Sequence, residues 1–416
     1  NQLWVARYNG PGNSYDLAHA LAVDGAGNVY VTGYSLGAGT REDYATIKYG
    51  SNGNQLWLAR YNGPGNEYDY ANALAVDAAG NVYVTGESYG GENDFDYATI
   101  KYDSNGNQLW VARYDGPGND LDLAWALAVD GAGSVYVTGS SVGAGTFSDY
   151  ATIKYDSNGN ELWVARYNGP GNNDDSATAL AVDGAGNVYV TGSSYGPGTF
   201  YDYATIKYDS NGNQVWLARY NGTGNGNDFA SALTVDGAGN VYVTGGSQGV
   251  GPGPDYATIK YVQNAVLPHA LNIFRGRLIS GGLQQLLQSD DQRLVVAPGP
   301  VFTNSQSPIH IIIDGTAPSG SLSELRFALE GHTTSTNVEQ RIELYNFLES
   351  AYETVDLRPS TTSDSLAEVS ITNNPKRFVQ SGTRLMRTRM RYKANGPIFT
   401  YPWQARLDHT YWTIFP

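Results

Sequence analysis

The chain has 416 residues, among them 51 Gly, 32 Tyr and no Cys, and its formal net charge is −15. The lack of Cys excludes a disulfide framework, a zinc-thiolate site and a cysteine nucleophile, and the acidity repels phosphate, so nucleic acid is not an expected partner. Many Gly with only 16% charged residues point to short strands joined by tight turns, and no apolar run approaches the roughly eighteen residues that a membrane-spanning segment needs.

The chain opens on NQLW at Asn1, and this tetrapeptide returns at Asn54, Asn107, Asn160 (NELW) and Asn213 (NQVW), each time 53 residues on. DYATIKY returns unaltered at Asp43, Asp96, Asp149, Asp202 and Asp255. ALAVDGAGNVYVTG, first at Ala20, recurs from Ala73, Ala126, Ala179 and Ala232 with few changes. There are five copies without insertion or deletion, and a period near 50 is that of a β-propeller blade.

Each copy predicts four strands. ALAVD and NVYVTG are joined by Gly-Ala-Gly, and DYATIKY and NQLWVARY by Asp-Ser-Asn-Gly, both hairpin signals. The strands are apolar on both faces, as sheets stacked between neighbours require. In this phase the fifth copy, Ala232 to Tyr261, lacks its outer strand, and the missing strand stands first in the chain, Asn1 to Tyr8. Its pairing with Asp255 to Tyr261 closes a five-bladed ring and hides two sheet edges. The alternative is that the strand pairs with a neighbouring molecule, giving a strand-exchanged polymer.

VDGAGNVYVTG followed by DYATIKYDSNGNQLWVARYNG resembles the bacterial β-propeller repeat family named for seven-bladed rings, over residues 1–262. The resemblance implies a secreted or cell-surface protein. This chain departs from the name by carrying five copies. YDSNGNQLW also resembles the D-x-x-x-G-x-x-x-W turn of pyrroloquinoline-quinone enzymes, although a turn followed by a Trp anchor recurs in many propellers for packing reasons.

After Tyr261 the period stops. Residues 1–262 hold 11 Lys+Arg against 27 Asp+Glu, and the rest 14 against 13, so the acidity lies on the repeats. Residues 263–270 read as a linker. Residues 271–416 carry alternating strands such as HIIID, ELRFALEG, QRIELYNF and RTRMRYK, the pattern of an antiparallel β-sandwich. This part resembles a jelly-roll module of secreted bacterial proteins, similar in outline to galactose-binding-like and carbohydrate-binding domains, which implies an accessory, noncatalytic role.

Catalysis needs one asymmetric constellation, whereas near-identical copies place like residues in like environments. The chain is therefore expected not to be an enzyme, a hydrolase or quinoprotein being the reading held last. The strand order puts both hairpin turns on one face and the longer, variable connections on the other, which is the face expected to bind. There Asp16, Asp69, Asp122, Asp175 and Asp228 each follow by three residues Asn13, Asn66, Asn119, Asn172 and Asn225. Their oxygens could hold Ca²⁺ or a sugar hydroxyl once per blade, but one carboxylate per loop is a thin supply for an ion that takes six to eight oxygens. An Asx turn capping the loop is the preferred reading. A second ring, Asp43 to Asp255, reads as a turn cap, and the recurring pairs Arg7 to Arg219 and Lys48 to Lys260 as ion-paired or solvated outer-strand residues.

In the second domain Arg387, Arg389, Arg391 and Lys393 share one strand face by two-residue alternation, which reads first as an exposed face kept soluble by charge and otherwise as a stripe that could dock on acidic blades, its own or a neighbour's. Five His without ligand spacing support no metal site, and Trp403, Tyr411 and Trp412 read as sandwich core rather than a sugar platform. No cofactor is expected, Ca²⁺ apart. The function expected is that of a noncatalytic extracellular or cell-surface protein of structural or adhesive type, with glycan or neighbouring subunits as partners. The alternative is a multivalent lectin with one weak site per blade.

Overall fold

The computed structural model describes all residues except 92–93, 238, 288–291, 304, 396–402 and 416. The chain divides into two compact units, Asn1–Tyr261 and Val262–Pro416. The first is built of antiparallel sheets that repeat with the sequence. Sheet 1 is β1 (Asp16–Val23), β2 (Val29–Leu36), β3 (Glu42–Tyr49) and β4 (Gln55–Tyr61), in that order. β5–β8 (Asp69–Val76, Val82–Tyr89, Phe95–Tyr102, Gln108–Tyr114) repeat it, as do β9–β12 (Asp122–Val129, Val135–Val142, Ser148–Tyr155, Glu161–Tyr167) and β13–β16 (Asp175–Val182, Val188–Gly196, Phe200–Tyr208, Gln214–Tyr220). Sheet 5 has three strands, β17 (Phe229–Val235), β18 (Val241–Gln248) and β19 (Pro254–Tyr261).

The hairpin turns form because the side chain of the first Asp gathers the loop. Asp24 Oδ1 accepts the N–H groups of Ala26 and Asn28, and Oδ2 accepts from the Tyr30 hydroxyl at 3.0 Å. The Asn28 amide, donating to the same carboxylate, leads in holding its pKa down at about 2. The sheets then pack face to face through the apolar faces of DYATIKY and NVYVTG. Tyr30 and Tyr44 of sheet 1 are buried against Val82, Val84, Ala98 and Ile100 of sheet 2, and the same set recurs at the next interfaces. Tyr44, Tyr97, Tyr150 and Tyr203 donate their hydroxyls to the carbonyls of Ala98, Ala151, Ala204 and Ala257 at 3.2–3.4 Å. A polar atom that would be costly in such a core is thereby satisfied.

Each inner strand carries a one-residue bulge, at His19, Asn72, Trp125, Thr178 and Ser231. The bulge drives the inner strand against its neighbour, and only Gly fits opposite. A Cβ on Gly139 would lie 2.0 Å from the Leu123 carbonyl oxygen.

The expected ring closure is not made. Residues 1–8 form no strand, and β19 has no fourth strand beside it among the described residues. The segment lies instead against the sheet that follows it, because its side chains find there the contacts that outer strands make elsewhere. Trp4 donates to the Ser51 carbonyl at 3.2 Å as Trp57 does to that of Ser104 at 3.1 Å, and Tyr8 accepts from Arg60 at 2.9 Å.

The second unit comprises β20 (Ala265–Val266), β21 (Ala270–Arg275), β22 (Arg277–Ser280), β23 (Leu294–Ala297), β24 (Ile309–Thr316), β25 (Glu324–Thr333), β26 (Val338–Asn346), β27 (Ala351–Pro359), β28 (Ser365–Ile371), β29 (Leu385–Ala394) and β30 (Ala405–Phe415). One sheet runs β22-β23-β30-β25-β28 and the other β21-β24-β29-β26-β27. Ile311, Ile313, Ile342 and Met390 of one share a single buried cluster with Phe327, Leu407 and Trp412 of the other. The stretch expected as a linker is partly paired, since Ala265 and Val266 join β30.

Candidate functional site

The repeated Asp and Asn of the variable-loop face turn opposite ways. Oδ2 of Asp16, Asp69, Asp122, Asp175 and Asp228 accepts the N–H of Gly10, Gly63, Gly116, Gly169 and Gly222 at 2.5–3.0 Å. Asn13, Asn66, Asn119, Asn172 and Asn225 adopt the left-handed conformation, with φ between 46° and 54°. The side-chain oxygens of Asn13, Asn66, Asn172 and Asn225 accept from Asn9, Asn62, Asn168 and Asn221 instead. The carboxylate holds the loop from inside while the amide faces solvent. Burial pushes Asp69 and Asp122 up to about 6, since too few donors offset the loss of water.

The second Asp ring is held by arginine. Arg60, Arg113, Arg166 and Arg219 meet Asp43, Asp96, Asp149 and Asp202 at 2.5–3.1 Å. Each guanidinium also donates to the tyrosine hydroxyl of the preceding repeat, Tyr8, Tyr61, Tyr114 or Tyr167. Lys48, Lys101, Lys154 and Lys207 lie over the rings of Tyr30, Tyr83, Tyr136 and Tyr189 at 5.0–5.1 Å. Among the described residues one carboxylate trio, Asp94, Asp96 and Asp115, comes within 4.8 Å, and Arg113 already engages its Asp96.

In the second unit the stripe does share a face. Its guanidiniums meet carboxylates of their own sheet: Arg387 both oxygens of Asp314 at 2.7 Å, and Arg389 and Arg391 the two oxygens of Glu343 at 2.5 and 2.7 Å. Trp403, Tyr411 and Trp412 are buried.

The feature that sequence reasoning passed over is where the repeats differ inside the strands. Among the positions that vary on the inner strands are the bulged residue, the residue two before it, and the residue after Thr-Gly on the second strand (Tyr34, Glu87, Ser140, Ser193, Gly246). A bulge re-aims its side chain, and here it reaches over the next inner strand. His19 Nδ1 lies 3.1 Å from the Ala71 carbonyl oxygen and 3.2 Å from Asn72 Oδ1. Asn72 Nδ2 donates to the Ala124 carbonyl at 3.0 Å and to Glu87 Oε2 at 2.8 Å. Rings gather around this chain of polar groups. His19 packs on Tyr34 at 5.2 Å between centroids, Tyr34 on Tyr70 at 4.8 Å, and Tyr70 stacks with Tyr68 at 6.0 Å and Phe95 at 6.3 Å. Burial pushes Glu87 up to about 7 in spite of the Asn72 bond. The Tyr70 hydroxyl is pushed up to about 12, first by burial and then by Glu42, with Glu87 a further contributor. Glu42 and Glu87 stand where the other repeats have no carboxylate. Repeats 1 and 2 thus carry half-buried aromatic rings beside two one-off carboxylates, an amide and an imidazole.

Among known proteins, the chain is similar over 136 residues to the Regulatory protein FlaEY of Caulobacter vibrioides, at 33% identity. The match takes in 29% of this chain and spans 13% of that protein's length. Solved structures similar to it include the exo-β-1,3-galactanase of Phanerochaete chrysosporium, 10% identical over 98% of both chains with a TM-score of 0.33. Another is the xylan β-1,4-xylosidase of Bacillus halodurans, 9% identical over 95% of this chain and 98% of that one, with a TM-score of 0.32. The β-propeller domain of the Trilobed protease of Pyrococcus furiosus, described as an open velcro topology, is 8% identical over 73% and 80%, with a TM-score of 0.36. The expectation that the chain is not an enzyme is corrected here. Glycoside hydrolases stand among these structures, and Glu42 and Glu87 remove the sameness of the copies on which that expectation rested. At such scores the likeness assigns no activity. The β-propeller repeat family, SBBP, matches residues 3–39, 56–96 and 162–198, so the repeats of the first unit are β-propeller repeats.

Proposed function

We propose that this is a carbohydrate-engaging propeller protein of the cell surface or extracellular space. Its sheets are read as the five blades of the propeller and its second unit as a jelly-roll-like β-sandwich. The primary site is the patch formed by blades 1 and 2. The observation that carries the reading is the one-off cluster of Tyr34, Tyr70 and Phe95 with His19, Asn72 and Glu87. Flat rings that bury the apolar face of a pyranose, bordered by a few convergent donors and acceptors, are the chemistry a sugar requires. Glycan-array binding followed by calorimetry tests it: Tyr70→Ala and Glu87→Gln each weaken retention of the selected glycan about tenfold or more, the loss of an aromatic contact or of a charged hydrogen bond. Failure to retain any glycan, or equal retention by both variants, refutes the reading.

A second reading, hydrolysis of the bound glycan, is favoured by Glu87 alone. A carboxyl raised to about 7 is still protonated near neutrality, as a general acid must be. Release of reducing ends that Glu87→Gln abolishes would select it.

A further inference from the structure

The first unit ends in two unfinished surfaces, and they match. At one end β19 has no fourth strand beside it among the described residues. Tyr44, Tyr97, Tyr150 and Tyr203 are 0% exposed, whereas Tyr256, at the same place in the repeat, is 97% exposed. At the other end a cavity of about 250 Å³ opens between residues 1–8 and sheet 1, lined there by Val29, Val31, Ala45, Ile47 and Tyr49. Those five are the repeat equivalents of Val82, Val84, Ala98, Ile100 and Tyr102, on which Tyr30 and Tyr44 are buried one interface further on. The cavity is therefore the seat that a preceding blade's tyrosine occupies, and of the five repeat tyrosines Tyr256 is the exposed one.

The strand register repeats the match. In the complete blades the third strand pairs with the fourth as Tyr44↔Tyr61, Ala45↔Arg60, Thr46↔Ala59, Ile47↔Leu58 and Lys48↔Trp57. Moved by the repeat, this sets Tyr256 to Lys260 opposite Tyr8 to Trp4. Charges fall into place with it. Every Arg60 to Arg219 has its Asp seventeen residues back, while Arg7 and Asp255 are both exposed. The other partners each guanidinium takes, a tyrosine hydroxyl and a serine, are present for Arg7 as Tyr220 and Ser247.

We infer that the bare edge of β19 and the segment Asn1–Tyr8 belong to one intermolecular blade. The segment of a second copy adds the fourth strand to β17–β19, Arg7 of that copy pairs with Asp255, and Tyr256 enters the second copy's cavity and donates to its Ala45 carbonyl. The occupant is a second copy of this chain because the segment does not pair with β19 of its own chain and is held instead on sheet 1 by Trp4 and Tyr8. The contact is heterologous, so copies join head to tail into a ring if the rotation closes and a filament if it does not. The edge of β19, otherwise open to any strand, is covered by its own repeat.

The absence of Cys makes the test clean. The full chain is prepared as two single variants, Ala6→Cys and Thr258→Cys, whose positions face each other in the inferred register. Mixed and oxidised, they give a disulfide-linked dimer, and light scattering of the unmodified chain gives a mass that rises with concentration. Val5→Pro/Ala6→Pro removes both neighbouring N–H groups from a segment that is in no strand of the isolated chain. It stays monomeric while its thermal transition in dilute solution is kept. Arg7→Glu weakens association about tenfold or more, and mixing it with Asp255→Arg restores it. The inference is overturned if the chain carrying both Ala6→Cys and Thr258→Cys cross-links only within itself, which means closure in cis. It is equally overturned if no cross-link forms and the mass is that of one chain at every concentration.

Discussion

One tyrosine, repeated five times in the same heptapeptide, allows burial to be weighed against an internal control. Tyr150 is fully enclosed between sheets 3 and 4, while Tyr256 is almost wholly in solvent. Removing an aromatic ring from a packed core costs about 3–5 kcal/mol, so Tyr150→Ala, and likewise Tyr44→Ala and Tyr97→Ala, are expected to fall in that range. Tyr150→Phe costs only about 1 kcal/mol, because the Ala204 carbonyl that loses the hydroxyl at 3.2 Å still accepts from Thr191 at 3.3 Å and is not orphaned. Tyr256→Ala, made in the same sequence, changes stability by no more than about 0.5 kcal/mol in dilute solution, as an exposed side chain should. The assay is urea unfolding followed by tryptophan fluorescence, which reads the first unit through Trp57, Trp110 and Trp163, packed on Tyr30, Tyr83 and Tyr136. At an m-value of about 1–3 kcal/mol per molar, the core variants shift the midpoint by about 1 M or more. A Tyr256→Ala variant as unstable as Tyr150→Ala while monomeric would refute the open arrangement of sheet 5. A Tyr150→Ala variant within 1 kcal/mol of the parent would refute the stacking argument itself.

Two further predictions concern charge and backbone. Asp69 is pushed from 3.8 up to about 6 by burial, so its contribution to stability is complete below pH 3.8 and is lost as the pH rises through 6. Asp69→Asn, which keeps an oxygen for the Gly63 N–H, is therefore more stable than the parent by about 2 kcal/mol at pH 8. The gap narrows as the pH falls below 6 and closes only below pH 3.8, and melting curves at the two extremes measure it. Gly139→Ala would set a methyl group 2.0 Å from the Leu123 carbonyl oxygen, and the strand must shift to accept it. A loss of about 2 kcal/mol or more by chemical denaturation is expected, against less than about 0.5 kcal/mol for Gly131→Ala, whose Cβ meets nothing within 4 Å.

Much of the candidate site was legible in principle. The variable loops drew attention to the face, but the decisive variation lies in the strands, at the residue after Asp-x-Ala and at the residue after Thr-Gly. An alignment of the copies displays both as His19, Asn72, Trp125, Thr178, Ser231 and Tyr34, Glu87, Ser140, Ser193, Gly246. What no alignment of copies displays is that the first series sits at bulges and so reaches across to the next blade. The same holds for the repeated Asn and Asp. Their spacing brings them near in the chain, but the left-handed turn at Asn13 and its equivalents sends one side chain out and the other in.

By itself the sequence determined the strands, hairpins and sheet order of the first unit, because those depend on local alternation and on turns whose Asp side chains bond within four to six residues. It also determined which face carries the loops. Tertiary structure alone decided where Asn1–Tyr8 goes. NQLWVARY is equally fit to pair with DYATIKY and to pack on the sheet that follows it, and every complete blade does both. Which contact survives at the ends depends on the rotation accumulated from sheet to sheet over the whole unit, a sum of non-local packing angles that no window of residues contains.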